Sequence, residues 1–141
     1  MQNKKSKIFQ WLSLSALIVT IVLEALPYGA VLNFAPSEQD RIRRLYSYFD
    51  FTPFGYANFA PFITAILTVA LIVLVLVLIF VKRKLSGLRT ATFVIAIIAA
   101  VVSICPIFYG LDYVTIISVF ITLLLTASAV FCGIANAKQT N

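Results

Sequence analysis

FAPFITAILTVALIVLVLVLIFV, residues 59–81, is the stretch on which the fold turns, because 23 consecutive residues carry no charge. Coiled into a helix, it reaches about 35 Å, enough to cross a hydrocarbon core of about 30 Å with some tilt. Lipid offers no partner to a peptide group, so a run this long crosses as a helix that bonds its own backbone. Its Leu and Val run, Leu71 to Leu78, reads as largely lipid-facing.

Working outward, three more runs of this kind follow. Ile8 to Leu26 comes after the basic start Met1–Lys7 and is interrupted by charge only at Glu24, while Thr90–Phe108 and Val114–Ala135 lie beyond Lys82-Arg83-Lys84. The link Tyr109–Tyr113 is short enough to force the last two spans into an antiparallel pair. Pro106 falls in the last turn of the third span, where a helix ends or kinks. The expected fold is therefore all-α, one transmembrane four-helix bundle over residues 1–141, with spans near 8–26, 59–81, 90–108 and 114–135 and a long loop over 27–58.

Composition supports this. At 62% hydrophobic and 11% charged over 141 residues, the chain holds more apolar surface than a soluble domain of its size could bury. The net charge of +6 resides in short clusters beside the spans, not in a groove that could track phosphates, which argues against nucleic acid. With no His, the usual general base and the commonest metal ligand are missing, so no catalytic, cofactor-binding or metal-binding set is read from the sequence. Cys105 and Cys132 fall toward opposite faces of the bilayer, too far apart for a disulfide. They read as small embedded residues, with lipidation of Cys132 the alternative.

Orientation follows the basic residues. Lys4, Lys5, Lys7, Lys82, Arg83, Lys84, Arg89 and Lys138 fall on one side and Arg41, Arg43 and Arg44 on the other, which places both termini in the cytoplasm. A cleaved signal peptide is disfavoured because the best site, after Ala30, puts Tyr28 where a small residue is required.

The outer loop concentrates the unusual chemistry. Ser37-Glu-Gln-Asp40 resembles a capping box, and Ile42, Leu45, Tyr46 and Phe49 follow at helical spacing while Arg41, Arg43 and Arg44 face elsewhere. A short interfacial helix is expected there, lying on the membrane surface. Beyond it Tyr48, Phe49, Phe51, Phe54 and Tyr56 alternate with Pro53 and Gly55, giving, with Tyr46, an aromatic surface over the mouth of the bundle.

Glu24 is the only ionisable residue within a span as read here, and such groups are costly enough to mark a functional or a partnered structural site. Ser13, Ala16, Thr20, Glu24 and Pro27 share the face expected to turn inward, opposite Leu14, Leu17, Ile18, Ile21 and Val22. Glu24 is expected to accept hydrogen bonds from Arg41, Arg43, Arg44 or tyrosine hydroxyls, pinning the loop, or else to carry protons or to reach water at the interface. Small residues recur in span three (Thr92, Ala96, Ala99, Ser103) and span four (Thr115, Ser118, Thr122, Thr126, Ala129, Gly133), as close packing between the two would require.

The stretches Leu26–Phe34, Tyr46-Ser-Tyr-Phe-Asp50 and Thr52–Phe59 resemble small four-span membrane proteins of Gram-positive bacteria. That resemblance implies a bacterial plasma membrane and attaches no activity. Four spans with one carboxylate in the first are also similar to the small multidrug resistance transporters, dimers that work around such a glutamate. Here Glu24 lies near the outer end and the first loop is much longer. The sequence thus favours a non-enzymatic accessory or structural bundle, whose partners are the lipid bilayer and another membrane protein or a second copy. A small proton-coupled transporter using Glu24 is the alternative.

Overall fold

The computed structural model describes residues 4–34, 42–50, 58–81 and 85–140. Four long helices dominate: α1 (Lys4–Ala25), α2 (Ala60–Phe80), α3 (Ser86–Ile104) and α4 (Ile116–Thr140). Each contains a stretch long and apolar enough to cross a membrane, namely Ser6–Ala25, Ala60–Phe80, Ser86–Tyr109 and Ile116–Ala137. Pro61 sits in the first turn of α2, where its missing N–H costs nothing. Pro106 ends α3, and the chain tightens into a 3₁₀ turn over Cys105–Tyr109. Gly110 then turns back with φ +123°, a conformation that side chains rarely tolerate. A second 3₁₀ turn, Leu111–Tyr113, delivers the chain to α4.

The helices form a ring in the order α1–α2–α3–α4, closed by the most extensive of the four contacts, α1 against α4. Burial explains the arrangement. Each helix has a regular row of buried positions, 6, 10, 13, 17, 20 and 24 in α1, 61, 64, 68, 71, 75 and 78 in α2, 89, 92, 96, 99 and 103 in α3, and 118, 121, 125, 128, 132 and 135 in α4, with Leu14, Ala65, Ile79, Ala100 and Ala129 buried beside it. Every helix thus buries a seam at alternating steps of three and four, the repeat of left-handed bundles. Large apolar side chains such as Ile18, Val22, Ile66, Val73, Val101 and Leu123 point outward, as a lipid-facing surface requires. Both termini lie at one end, because the Ser6 hydroxyl donates to the Ala135 carbonyl (3.0 Å).

Two expectations about faces need correcting. In α2 the run Leu71–Leu78 is divided, with Leu71, Val75 and Leu78 buried and Val73 and Val77 exposed, so the run as a whole is not largely lipid-facing. Its Leu71 and Val75 fall on the seam and fill the core, joined there by Ile79. In α1, Ser13, Thr20 and Glu24 do turn inward, but so do Leu14 and Leu17, while Ala16 is half-buried and Pro27 exposed. The small stripes of spans three and four do meet. At Gly133 an added Cβ would lie 2.8 Å from the Phe93 ring, so glycine lets that ring lie on α4.

Between α1 and α2 the chain forms a two-stranded antiparallel hairpin, β1 (Ala30–Phe34) and β2 (Ile42–Tyr46), with Val31 opposite Leu45 and Leu32 opposite Arg44. The interfacial helix expected here is not found, since Ile42–Tyr46 is a strand. A helix of so few residues is marginal by itself, and an apolar stripe helps only if it has a seat. Ile42, Arg43, Arg44 and Leu45 are all exposed, whereas β1 buries Val31 and Leu32 and offers β2 its backbone groups. The expected capping box, Ser37–Asp40, lies outside the described residues, as do Arg41 and the aromatics Phe51, Phe54 and Tyr56.

Candidate functional site

The seam of α1 carries Glu24 into the bundle in the helix's last turn, with 0% exposure. Seam position 68 of α2 faces it, and the Thr68 hydroxyl donates to Glu24 Oε1 at 2.8 Å. The same hydroxyl lies 3.0 Å from the Thr64 carbonyl of its own helix. One hydroxyl proton therefore has two acceptors in reach, a geometry that serves either a carboxylate accepting from Thr68 or a carboxylic acid donating to it. Glu24 Oε2 is buried and without a hydrogen-bond partner among the described residues.

The backbone carbonyl of Glu24 does a second job. Helix ends leave their last carbonyls unpaired, and here that group accepts from both the Tyr48 amide (2.9 Å) and the Ser47 hydroxyl (2.9 Å). Local sequence shapes the donor pair. The Asp50 carboxylate accepts from the Ser47 amide (2.8 Å) and the Ser47 hydroxyl oxygen accepts from the Phe49 amide (3.1 Å), closing a tight turn just after β2. That turn drives the Tyr48 ring inward until 1% is exposed, against Gly29, where a Cβ would sit 3.0 Å from the ring. Burial, and then the nearby Glu24 carboxyl, push the Tyr48 phenol above its ordinary range, so it stays neutral. Thr115, just before α4, adds a hydrogen bond to the Gly29 carbonyl (3.0 Å).

The residues singled out from the sequence divide accordingly. Glu24 and Tyr48 meet in the core. Arg43 and Arg44 lie exposed on β2, and among the described residues neither is paired with Glu24. Tyr46 is half-buried at the end of β2 and Phe49 is exposed in the turn. Among the described residues the loop is held by a helix-end carbonyl, and none of its arginines pairs with the carboxylate. Thr68 and Ser47 were missed. A threonine placed on the seam of the most apolar span was the signal for Thr68, and the Ser-x-x-Asp spacing of Ser47 and Asp50 was the one for Ser47.

A second polar group, at the end of the bundle where the termini lie, also escaped the sequence reading. Gln10 (4% exposed) and Arg89 (7%) are buried there. Nearby, the Ser13 and Ser128 hydroxyls share a hydrogen bond of 2.7 Å across α1 and α4, and Cys132 Sγ lies 3.3 Å from Ser13. Cys105 and Cys132 are both free thiols.

The fold and this site define a class, a four-helix bundle of membrane-spanning length with a hairpin clamped over one end. No family model matches the chain, and neither curated proteins nor solved structures yield a match.

Proposed function

We propose that this is a non-enzymatic accessory or structural protein of a bacterial plasma membrane, with both termini in the cytoplasm, which displays its outer hairpin and aromatic segment to lipid, envelope or a membrane partner. One observation carries the reading, namely that the Glu24 carbonyl grips Ser47 and Tyr48 together while the Tyr48 ring is buried beneath the hairpin. A bundle that spends a helix end and its bulkiest fully buried side chain on one loop is built to hold that loop in a fixed pose. Affinity purification in mild detergent tests this. The wild type is expected to co-purify a membrane partner that a Tyr48→Ala variant, still folded, loses. Equal recovery by both would remove hairpin display as the purpose.

A second reading, a small proton-coupled transporter, has one observation in its favour. Glu24 Oε2 is fully buried and has no partner among the described residues, as a carboxyl that exchanges protons would require at some stage of a cycle. In proteoliposomes with an imposed pH gradient, Glu24→Gln would abolish substrate movement under this reading. Under the display reading it would leave partner recovery intact.

A further inference from the structure

At the end of the bundle opposite Glu24, all four helices close around a cavity of about 10 Å³, with Gln10, Leu78, Arg89, Thr92, Cys132 and Asn136 in its wall. All of these but Asn136 are more than nine-tenths buried, the Gln10 amide and the Arg89 guanidinium among them. Among the described residues neither polar atom of the Gln10 amide has a hydrogen-bond partner, nor does Arg89 Nε. Buried polar groups are almost always paired, and a buried guanidinium also needs a counter-charge.

The side chains of this chain are poorly placed to supply that charge. The acidic residues are Glu24, Glu38, Asp40, Asp50 and Asp112. Glu24 ends α1 at the far side of the bundle, about 21 Å along the helix from Gln10. The other four belong to connections between helix ends at that same far side. In sequence, by contrast, the segments next to the helix ends on this side are basic, with Lys7 in the first turn of α1 and Lys82-Arg83-Lys84 between α2 and α3. α3 also begins here without a side-chain cap at Leu85, so the amides of its first turn face the same end. Arg89 lies one turn inside, about 5 Å below the helix start.

We propose that this basic end binds a phosphate-class anion, one of whose oxygens enters the cavity between Arg89 and Gln10. The volume matches one oxygen-sized guest, which leaves the rest of the phosphoryl group at the helix ends. Arg89 Nε–H and the Gln10 amide donate to the oxygen that enters, and the anion neutralises the guanidinium, which a lone water molecule cannot do. The group comes either from a lipid headgroup or from free phosphate.

Thermal unfolding of the full chain in an uncharged detergent, titrated with phosphatidylglycerol, phosphatidylcholine or inorganic phosphate, tests the site. The wild type is expected to gain stability from phosphatidylglycerol or phosphate and none from phosphatidylcholine. Action by the lipid alone assigns a headgroup, and action by phosphate assigns the free ion. Arg89→Gln should weaken the apparent affinity about tenfold or more, and Gln10→Leu by less, as loss of a charged and a neutral donor predicts. Lys7→Gln removes one charge at the same end from a half-buried residue outside the cavity wall and should cost less affinity than Gln10→Leu. If Arg89→Gln does not fold, the comparison of Gln10→Leu with Lys7→Gln still decides. Equal losses in those two variants, wild-type affinity in Arg89→Gln, or no stabilisation by either anion would overturn the site.

Discussion

At one end of the bundle a buried carboxyl has Thr68 on one oxygen, and its own helix-end carbonyl carries two donors from a docked loop. At the other, a buried guanidinium and a buried amide face a small cavity, with three polar atoms unpartnered among the described residues. Both ends are built on the same three-four seam by the same four helices. The difference lies in what covers them. At the Glu24 end the connection between α1 and α2 runs to 34 residues, of which the hairpin returns onto α1, whereas α2 and α3 are joined by five residues. The hairpin supplies donors to the backbone of α1 and still leaves Glu24 Oε2 and Asn58 Oδ1 unpartnered among the described residues, whereas at the other end both atoms of an amide and one of a guanidinium lack partners.

The largest way to break this contrast is at Tyr48. Tyr48→Ala empties a fully buried aromatic site and should cost about 3–5 kcal/mol, read as a lower unfolding midpoint in detergent together with protease cleavage in the hairpin. Loss of midpoint without cleavage would mean that the ring supports the helices rather than the loop. Thr68→Val is next. It keeps the shape and removes the donor to Glu24, and should cost about 1–3 kcal/mol, checked by chemical unfolding, with Thr68→Ser recovering most of it.

The contrast also has a pH signature. Because the folded phenol of Tyr48 titrates above its unfolded value, its docking contribution is complete below the ordinary tyrosine range near pH 10 and is lost as pH rises above it. Ultraviolet titration should show one tyrosine that resists ionisation until the hairpin comes loose, and Tyr48→Phe should abolish that step. The smallest effect belongs to the exposed strand. Arg44→Ala should change stability by less than about 0.5 kcal/mol in the same unfolding assay, and a larger loss would restore an ion pair to the description of the loop.

How much of this could be read in the sequence depended on the length scale of the signal. The span 59–81 is so apolar that its helix, Ala60–Phe80, differs from the expected run by one residue at each end. On α1, Ser13, Thr20 and Glu24 are inward as expected, whereas Leu14 and Leu17 were expected outside and are buried, and Ala16 and Pro27 were expected inside and are half-buried and exposed. A straight 3.6-residue helix drifts about 20° per heptad from the 3.5-residue seam of a bundle, enough to exchange the neighbours Ala16 and Leu17. Arg89 was read with the basic cluster beside the spans because its helix was expected to begin at Thr90. It begins at Ser86, which draws the guanidinium one turn inside.

The hairpin was the least legible element. Ile42, Leu45, Tyr46 and Phe49 fit a helical stripe, and over so few residues that spacing cannot be told from a strand and a turn. What chose the strand was β1, twelve residues earlier, whose buried Val31 and Leu32 supply both an anchored edge and a ladder. Glu24 announced itself through charge, yet its carbonyl, which the sequence never distinguishes from any other, holds the loop.

Amide hydrogen exchange at Tyr48, measured by NMR on the full chain in lipid bicelles, tests the docked hairpin most directly. The Tyr48 amide, bonded to the Glu24 carbonyl, should exchange as slowly as amides in the middle of α2, while that of Phe49 exchanges much faster. A Tyr48 amide exchanging as fast as an unstructured peptide would contradict the clamp and, with it, the contrast between the two ends.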